Sequence, residues 1–164
     1  DVVAAGLLTA GYSIATSLVR IVGGILSDRL REGGENTGIL ALLITLMGAF
    51  MLTMSQEYQI AIPGIVLLSL GMGICNAAVF KLVPQLVPQA VGGATGWVGG
   101  MGALGGFLIP LALGFAVSDL GMRGYPIGFV VFIFLAIFAL SMMWILKYTH
   151  EHPAEGEPAI VDEF

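Results

Sequence analysis

Apolar residues come in five long runs separated by short polar breaks. The runs cover roughly residues 2–27, 37–55, 60–83, 90–117 and 126–148, and none of the five contains an aspartate or glutamate. A helix needs about 20 apolar residues to cross the hydrocarbon core of a bilayer, so each run predicts one membrane-spanning helix. The breaks read "DRLREGGEN", "SQEYQ", "PQLVPQ" and "SDLGMRGY". Connections this short force consecutive helices antiparallel. The predicted fold class is therefore all-α and transmembrane. The last stretch, residues 149–164, "THEHPAEGEPAIVDEF", is acidic, holds two prolines and has no helical apolar stripe. It predicts a disordered tail.

Composition supports the same reading. The chain has 164 residues, 57% of them hydrophobic and 10% charged, whereas a soluble domain carries about 25% charged residues. Too few charges remain to cover a surface facing water. The net charge of −5 lies largely in the tail and gives no sign of nucleic-acid binding. The single cysteine, Cys75, has no internal disulfide partner. The chain opens inside an apolar run with no initiator methionine and no basic segment before it, which predicts a chain truncated at its N-terminus rather than a signal peptide. Basic residues mark the cytoplasmic side of membrane proteins. Arg29, Arg31, Lys81 and Lys147 fall on one side of the predicted bundle and Arg123 on the other, which places the tail in the cytoplasm. Lys81, near the end of its helix, is expected to snorkel to that interface.

The first span carries a permanent cation, Arg20, about eight residues before its cytoplasmic end, or roughly 12 Å. A central arginine costs from ~3 to above 10 kcal/mol depending on the reference, so something must offset it. At ~100° per residue, Thr9, Ser13, Thr16, Ser17, Arg20, Gly23, Gly24 and Ser27 fall on one face, and Ile14, Leu18, Ile21, Val22 and Ile25 on the other. The first face predicts a cavity lining and the second a lipid contact. A guanidinium is planar, always charged and presents paired N–H donors, so Arg20 suits a flat oxyanion held by two parallel hydrogen bonds. The alternative is an arginine that snorkels or pairs with a carboxylate of another helix. Asn76, in the third span, is a further candidate for the cavity wall or for a hydrogen bond between helices.

The fourth span reads "AVGGATGWVGGMGALGGFLIPLALG", with Gly93, Gly96, Gly99, Gly102 and Gly105 recurring every three residues. Small residues at such spacing admit another helix backbone, and bare backbone also admits a ligand. Close packing is expected, with substrate contact as the second reading, and Pro110 is expected to kink the helix. The run lacks the GK[ST] ending of a phosphate loop. His150 and His152 form an H-x-H on which no further ligand converges, so no metal site is expected. No catalytic triad, metal cluster or cofactor motif appears, so neither an enzyme nor a cofactor is expected.

In "GILSDRLREGG", Gly24, Asp28 and Arg29 stand in the order of the loop motif of major facilitator transporters, G-x-x-x-D-R-x-G-R-R/K, with Arg31 in place of the second glycine. "LVRIVGGILSDR" resembles the eighth helix of the nitrate/nitrite porter family. "NAAVFKLVPQLVPQ" is similar to its tenth helix, and "GATGWVGGMGALGGFLIP" to the nitrate signature of its eleventh. The resemblance covers nearly the whole chain. It implies helices eight to twelve, a partial C-terminal six-helix bundle of a twelve-helix transporter whose N-terminal half is missing. It further implies multi-pass residence in the inner membrane, with nitrate or nitrite bound between the halves. Arg20 matches an arginine that clamps the anion with a partner from the other half. Gly96 and Gly99 match positions close to substrate, and some members carry serine at the place of Gly99. Ser13, Thr16, Ser17 and Asn76 are candidates for the cavity wall. Asp28 and Arg29 match residues that latch the two halves.

The implied function is nitrate and/or nitrite transport by alternating access, as nitrate/nitrite antiport or proton-linked nitrate uptake in nitrate assimilation. A major facilitator transporter for another small anion, or a non-transporting membrane scaffold subunit, are the alternatives. The scaffold alternative predicts Arg20 paired to a protein carboxylate.

Overall fold

The computed structural model describes residues 2–30, 33–55, 57–121 and 124–151. Arg31, Arg123, His152 and the rest of the predicted tail lie outside the described residues, and with them two of the residues that set the orientation.

Inside lipid the backbone has no water to bond, and a continuous helix satisfies its own N–H and C=O groups. The apolar runs accordingly form α1 (Val2–Arg29), α2 (Gly33–Met54), α3 (Tyr58–Leu86), α4 (Val91–Leu120), a short α5 (Gly124–Gly128) and α6 (Val130–Glu151). Five stretches are long and apolar enough to cross a membrane: Gly6–Arg29, Gly34–Met54, Gln59–Leu86, Pro88–Leu120 and Gly124–Thr149. The fifth is broken at Phe129, whose N–H donates to the Pro126 carbonyl at 3.1 Å. Several helices run past the apolar runs that predict them. α3 continues through Pro84 to Leu86, α4 stays helical through Pro110 to Leu120, and α6 reaches Glu151, three residues into the segment read as tail. Hydropathy marks where lipid ends, whereas a helix ends where its hydrogen bonds do.

Between helices in lipid, association comes from close packing rather than from apolar burial. α3 is the hub, with α2 and α1 packed on it and α6 on the far side of α2. Along α2 and α3 small residues bring the backbones together. A Cβ on Gly48 would lie 2.6 Å from the Leu68 nitrogen, and one on Gly64 3.0 Å from Leu52 Cγ. Ala49, Leu52 and Leu68 form the core there, covered by Phe129, Phe132 and Ile133. α6 is tied to α2 by Gly38 against Met143 and by Lys147 Nζ, which donates to Asn36 Oδ1 at 2.7 Å.

The glycine packing expected in the fourth span is found at the α2–α3 seam instead. α4 has no buried residue. From Gly92 to Gly114, no glycine of α4 has an atom of another element within 4 Å of the place its Cβ would take. The helix reaches the bundle through α5, where Gly124 and Gly128 sit tightly against Ala116 and Leu113. The glycine rows are thus uncovered by the described residues.

Candidate functional site

α1 crosses α3 with both chains running the same way. Thr16 meets Gly73, Gly23 meets Ile74 and Ala77, and Ser27 meets Lys81, in ascending order on both helices. A Cβ on Gly73 would lie 2.8 Å from the Thr16 carbonyl oxygen, and one on Gly23 2.8 Å from Ile74 Cα. Only glycine lets the backbones come this near. The small, polar face of α1 is thereby divided. Gly23 and Ser27 are buried in the seam and Thr16 is half-buried there, while Ser13, Ser17 and Arg20 are exposed and Gly24 half-buried beside them. Thr16, half-buried, borders the seam through its carbonyl against Gly73. The opposite face is open: Ile14, Leu18, Ile21, Val22 and Ile25 are between 50% and 64% exposed.

Arg20 lies ~60° round α1 from Gly23. On α3, Gly73, Ile74, Ala77 and Lys81 meet α1, while Gly64, Leu68, Gly71, Ala78 and Leu82 meet α2. Asn76 belongs to neither set. It falls in the remaining arc with Phe80, which is 39% exposed, and is itself half-buried. Because α1 and α3 are parallel right-handed helices, that arc and the Arg20 side of α1 open the same way. Tyr12 also joins α1 to α3, donating from Oη to Met72 Sδ at 3.1 Å.

The hydrogen-bonding capacity of the edge is uneven. Ser13 Oγ donates to the Thr9 carbonyl at 3.1 Å, Thr16 Oγ1 to that of Tyr12 at 2.8 Å and Ser17 Oγ to that of Ser13 at 2.8 Å. Each hydroxyl proton is committed to its own helix, leaving acceptor lone pairs outward. Arg20 and Asn76 have no hydrogen bond or ion pair among the described residues. Among the described residues no carboxylate pairs with Arg20. The edge offers N–H donors from a permanent cation and an amide, a chemistry that receives an anion.

At the end of α1 the Lys81 ammonium reaches two acceptors of that helix. Its Nζ forms an ion pair with Asp28 Oδ1 at 2.7 Å and donates to the Ser27 carbonyl, also at 2.7 Å. Asp28 remains 73% exposed, and Arg29 is exposed beside it. Nothing in the sequence spacing joins Lys81 to a residue 53 positions earlier. The signal available was weaker: a lysine and an aspartate at the ends of two helices predicted to finish on the same side.

Gly96 and Gly99 are not brought to this edge. Both are exposed, and nothing from α1 comes within 4 Å of either. Gly96 lines an open depression along one face of α4 with Gly93, Trp97, Gly100, Met101 and Leu104, and Gly99 is not part of that lining. Trp97 is 74% exposed there. No group of three or more potential metal ligands occurs among the described residues.

The family model described as Major Facilitator Superfamily matches residues 1–162. The probable nitrate transporter NarT of Staphylococcus aureus strain JH9 is 29% identical over 151 residues, covering 92% of this chain and 37% of that protein. Those of strains bovine RF122 / ET3-1 and Newman are each 28% identical with the same coverage. The chain thus spans 37% of the length of these curated relatives. No solved structure matches the chain.

Proposed function

The chain belongs to the major facilitator superfamily, and on that premise we propose that it forms part of a transporter of nitrate or nitrite, with Arg20 as an anion ligand. One observation carries the reading. On the open edge of α1 and α3, Arg20 and Asn76 are the side chains whose N–H donors are uncommitted among the described residues. A guanidinium offers two parallel N–H bonds to one edge of a planar oxyanion, and a primary amide offers a further donor to the remaining oxygen. The names of the relatives agree in substrate class.

The five crossings act as helices eight to twelve, and the rest of the transporter supplies the second cation and the opposite wall of the cavity. Gly96 and Gly99 face the same anion once that wall is in place, and Asp28 and Arg29 contribute to latching. The protein resides in the inner membrane with its tail in the cytoplasm. Two cations facing one cavity repel, and an anion between them removes the repulsion, so bound substrate permits closure and the empty site resists it. That behaviour gives exchange by alternating access around a site near the midplane. The scaffold reading requires a carboxylate on Arg20.

The test uses the full-length parent in proteoliposomes. Nitrite trapped inside is expected to stimulate labelled nitrate uptake, and uptake indifferent to internal nitrite but driven by a pH gradient would refute exchange. No uptake of either anion would refute the substrate assignment.

A further inference from the structure

α1 packs mainly on α3, with a smaller contact to α2. Gly23 and Ser27 are its buried residues among those described. Its closest approaches to α3 are glycine on backbone, at Gly23 and Gly73. Val19 packs into the hollow at Gly73 and Ala77 into the one at Gly23, apolar contacts that carry no directional bond. The bond from Tyr12 to Met72 ends on a flexible thioether, which follows its partner rather than locating it.

Lys81 is different. Its Nζ holds two acceptors of α1 at 2.7 Å, the Ser27 carbonyl and Asp28 Oδ1. The carbonyl belongs to the last turn of α1, where C=O groups have no partner within the helix and carry the negative end of its dipole. Ser27 itself is fully buried. The ammonium therefore bonds a fixed backbone atom as well as a side chain, and its bond to a backbone atom locates the helix. Ser27 lies seven residues from Arg20, roughly 10 Å along a rigid helix. A slip of α1 at the clamp is carried unchanged to the guanidinium.

We propose that Lys81 is a positioning residue: it fixes the register of α1 on α3 and thereby sets the Arg20 guanidinium on the edge it shares with Asn76. The inference rests on the reading of Arg20 as the anion ligand. It assigns the Lys81–Asp28 pair to holding one half rigid, a role separate from contacts between halves. A planar fork tolerates only about 0.5 Å of misplacement, so loosening the clamp weakens recognition before it weakens movement.

Nitrate counterflow by the full-length parent in proteoliposomes, read as KM and Vmax, tests this with Lys81→Met, Lys81→Arg, Asp28→Asn and Arg20→Lys. Lys81→Met is expected to raise KM about tenfold with Vmax within about twofold, the signature of lost binding rather than lost turnover. Lys81→Arg keeps both bonds and should restore KM, and Asp28→Asn keeps the carbonyl bond and should show a smaller rise. An unchanged KM for Lys81→Met, or a loss confined to Vmax, overturns the proposal. Arg20→Lys separates the two readings. If it leaves KM unchanged, the anion-ligand reading has failed; if it is defective while Lys81→Met is silent, only the positioning role has failed. Should Lys81→Met not insert, Lys81→Gln, which keeps a donor for the Ser27 carbonyl, is read on the same two axes.

Discussion

Ile74 Cα fills the space in which a side chain on Gly23 would begin: a Cβ there would lie 2.8 Å from it and 3.0 Å from Ala77 Cβ. Its sequence neighbour Gly24 has open space. Gly23→Ala must push α1 off α3, at about 1–3 kcal/mol for overpacking, while Gly24→Ala costs nothing by packing. Thermal unfolding of the purified full-length parent should show a lowered Tm for the first and an unchanged or raised Tm for the second. Equal effects would mean that the two helices are not in this register.

The face of α1 opposite the seam is read as lipid-facing. Ile21, 64% exposed, stands for it. Ile21→Asp should impair insertion by about 3 kcal/mol on a biological insertion scale, whereas Ser17→Asp, on the open edge, should insert more readily. A glycosylation-based insertion assay checks the difference, and equal insertion would place both faces in one environment.

Lys147 joins the end of α6 to the start of α2 through Asn36. A hydrogen bond to a charged group is worth about 1.5–3 kcal/mol, so Lys147→Met should lower Tm. As the pair lies outside the proposed site, the KM for nitrate should not move. A KM change without a Tm change would assign this lysine a part in binding.

Gly96 and Gly99 are open on this chain and are proposed to face the anion in the whole transporter. Gly99→Val should raise KM for nitrate about tenfold through one misplaced contact of about 1.4 kcal/mol. Gly114→Val, beyond Pro110, should leave KM alone. A reversed order would move the anion contact along α4.

Much of this was legible in the chain. Hydropathy is a local property, so the five crossings and the outward row from Ile14 to Ile25 follow from periodicity. The division of the polar face of α1 does not. Gly23 and Ser27 resemble Ser13, Ser17 and Gly24 in size and polarity, and only the crossing with α3 decides which are buried. Glycine is ambiguous for the same reason. Gly48 meets the backbone of α3 and Gly64 the Leu52 side chain, while the richer rows of α4 meet nothing among the described residues, because a small residue permits close approach without compelling it. The Lys81–Asp28 pair was hidden because partners on different helices leave no spacing to read. Arg20 was the exception: a charge within an apolar span is costly wherever it lies, so the sequence alone singles it out.

The central claim is that Arg20 is a shaped anion ligand. Its most direct test compares nitrate counterflow by the full-length parent with Arg20 and with Arg20→Lys, which keeps the charge and removes the planar fork. Counterflow reduced at least about tenfold, with the variant folded and inserted as the parent is, is the predicted result. Counterflow equal to that of the parent, at the same KM, would contradict it and leave Arg20 a structural charge.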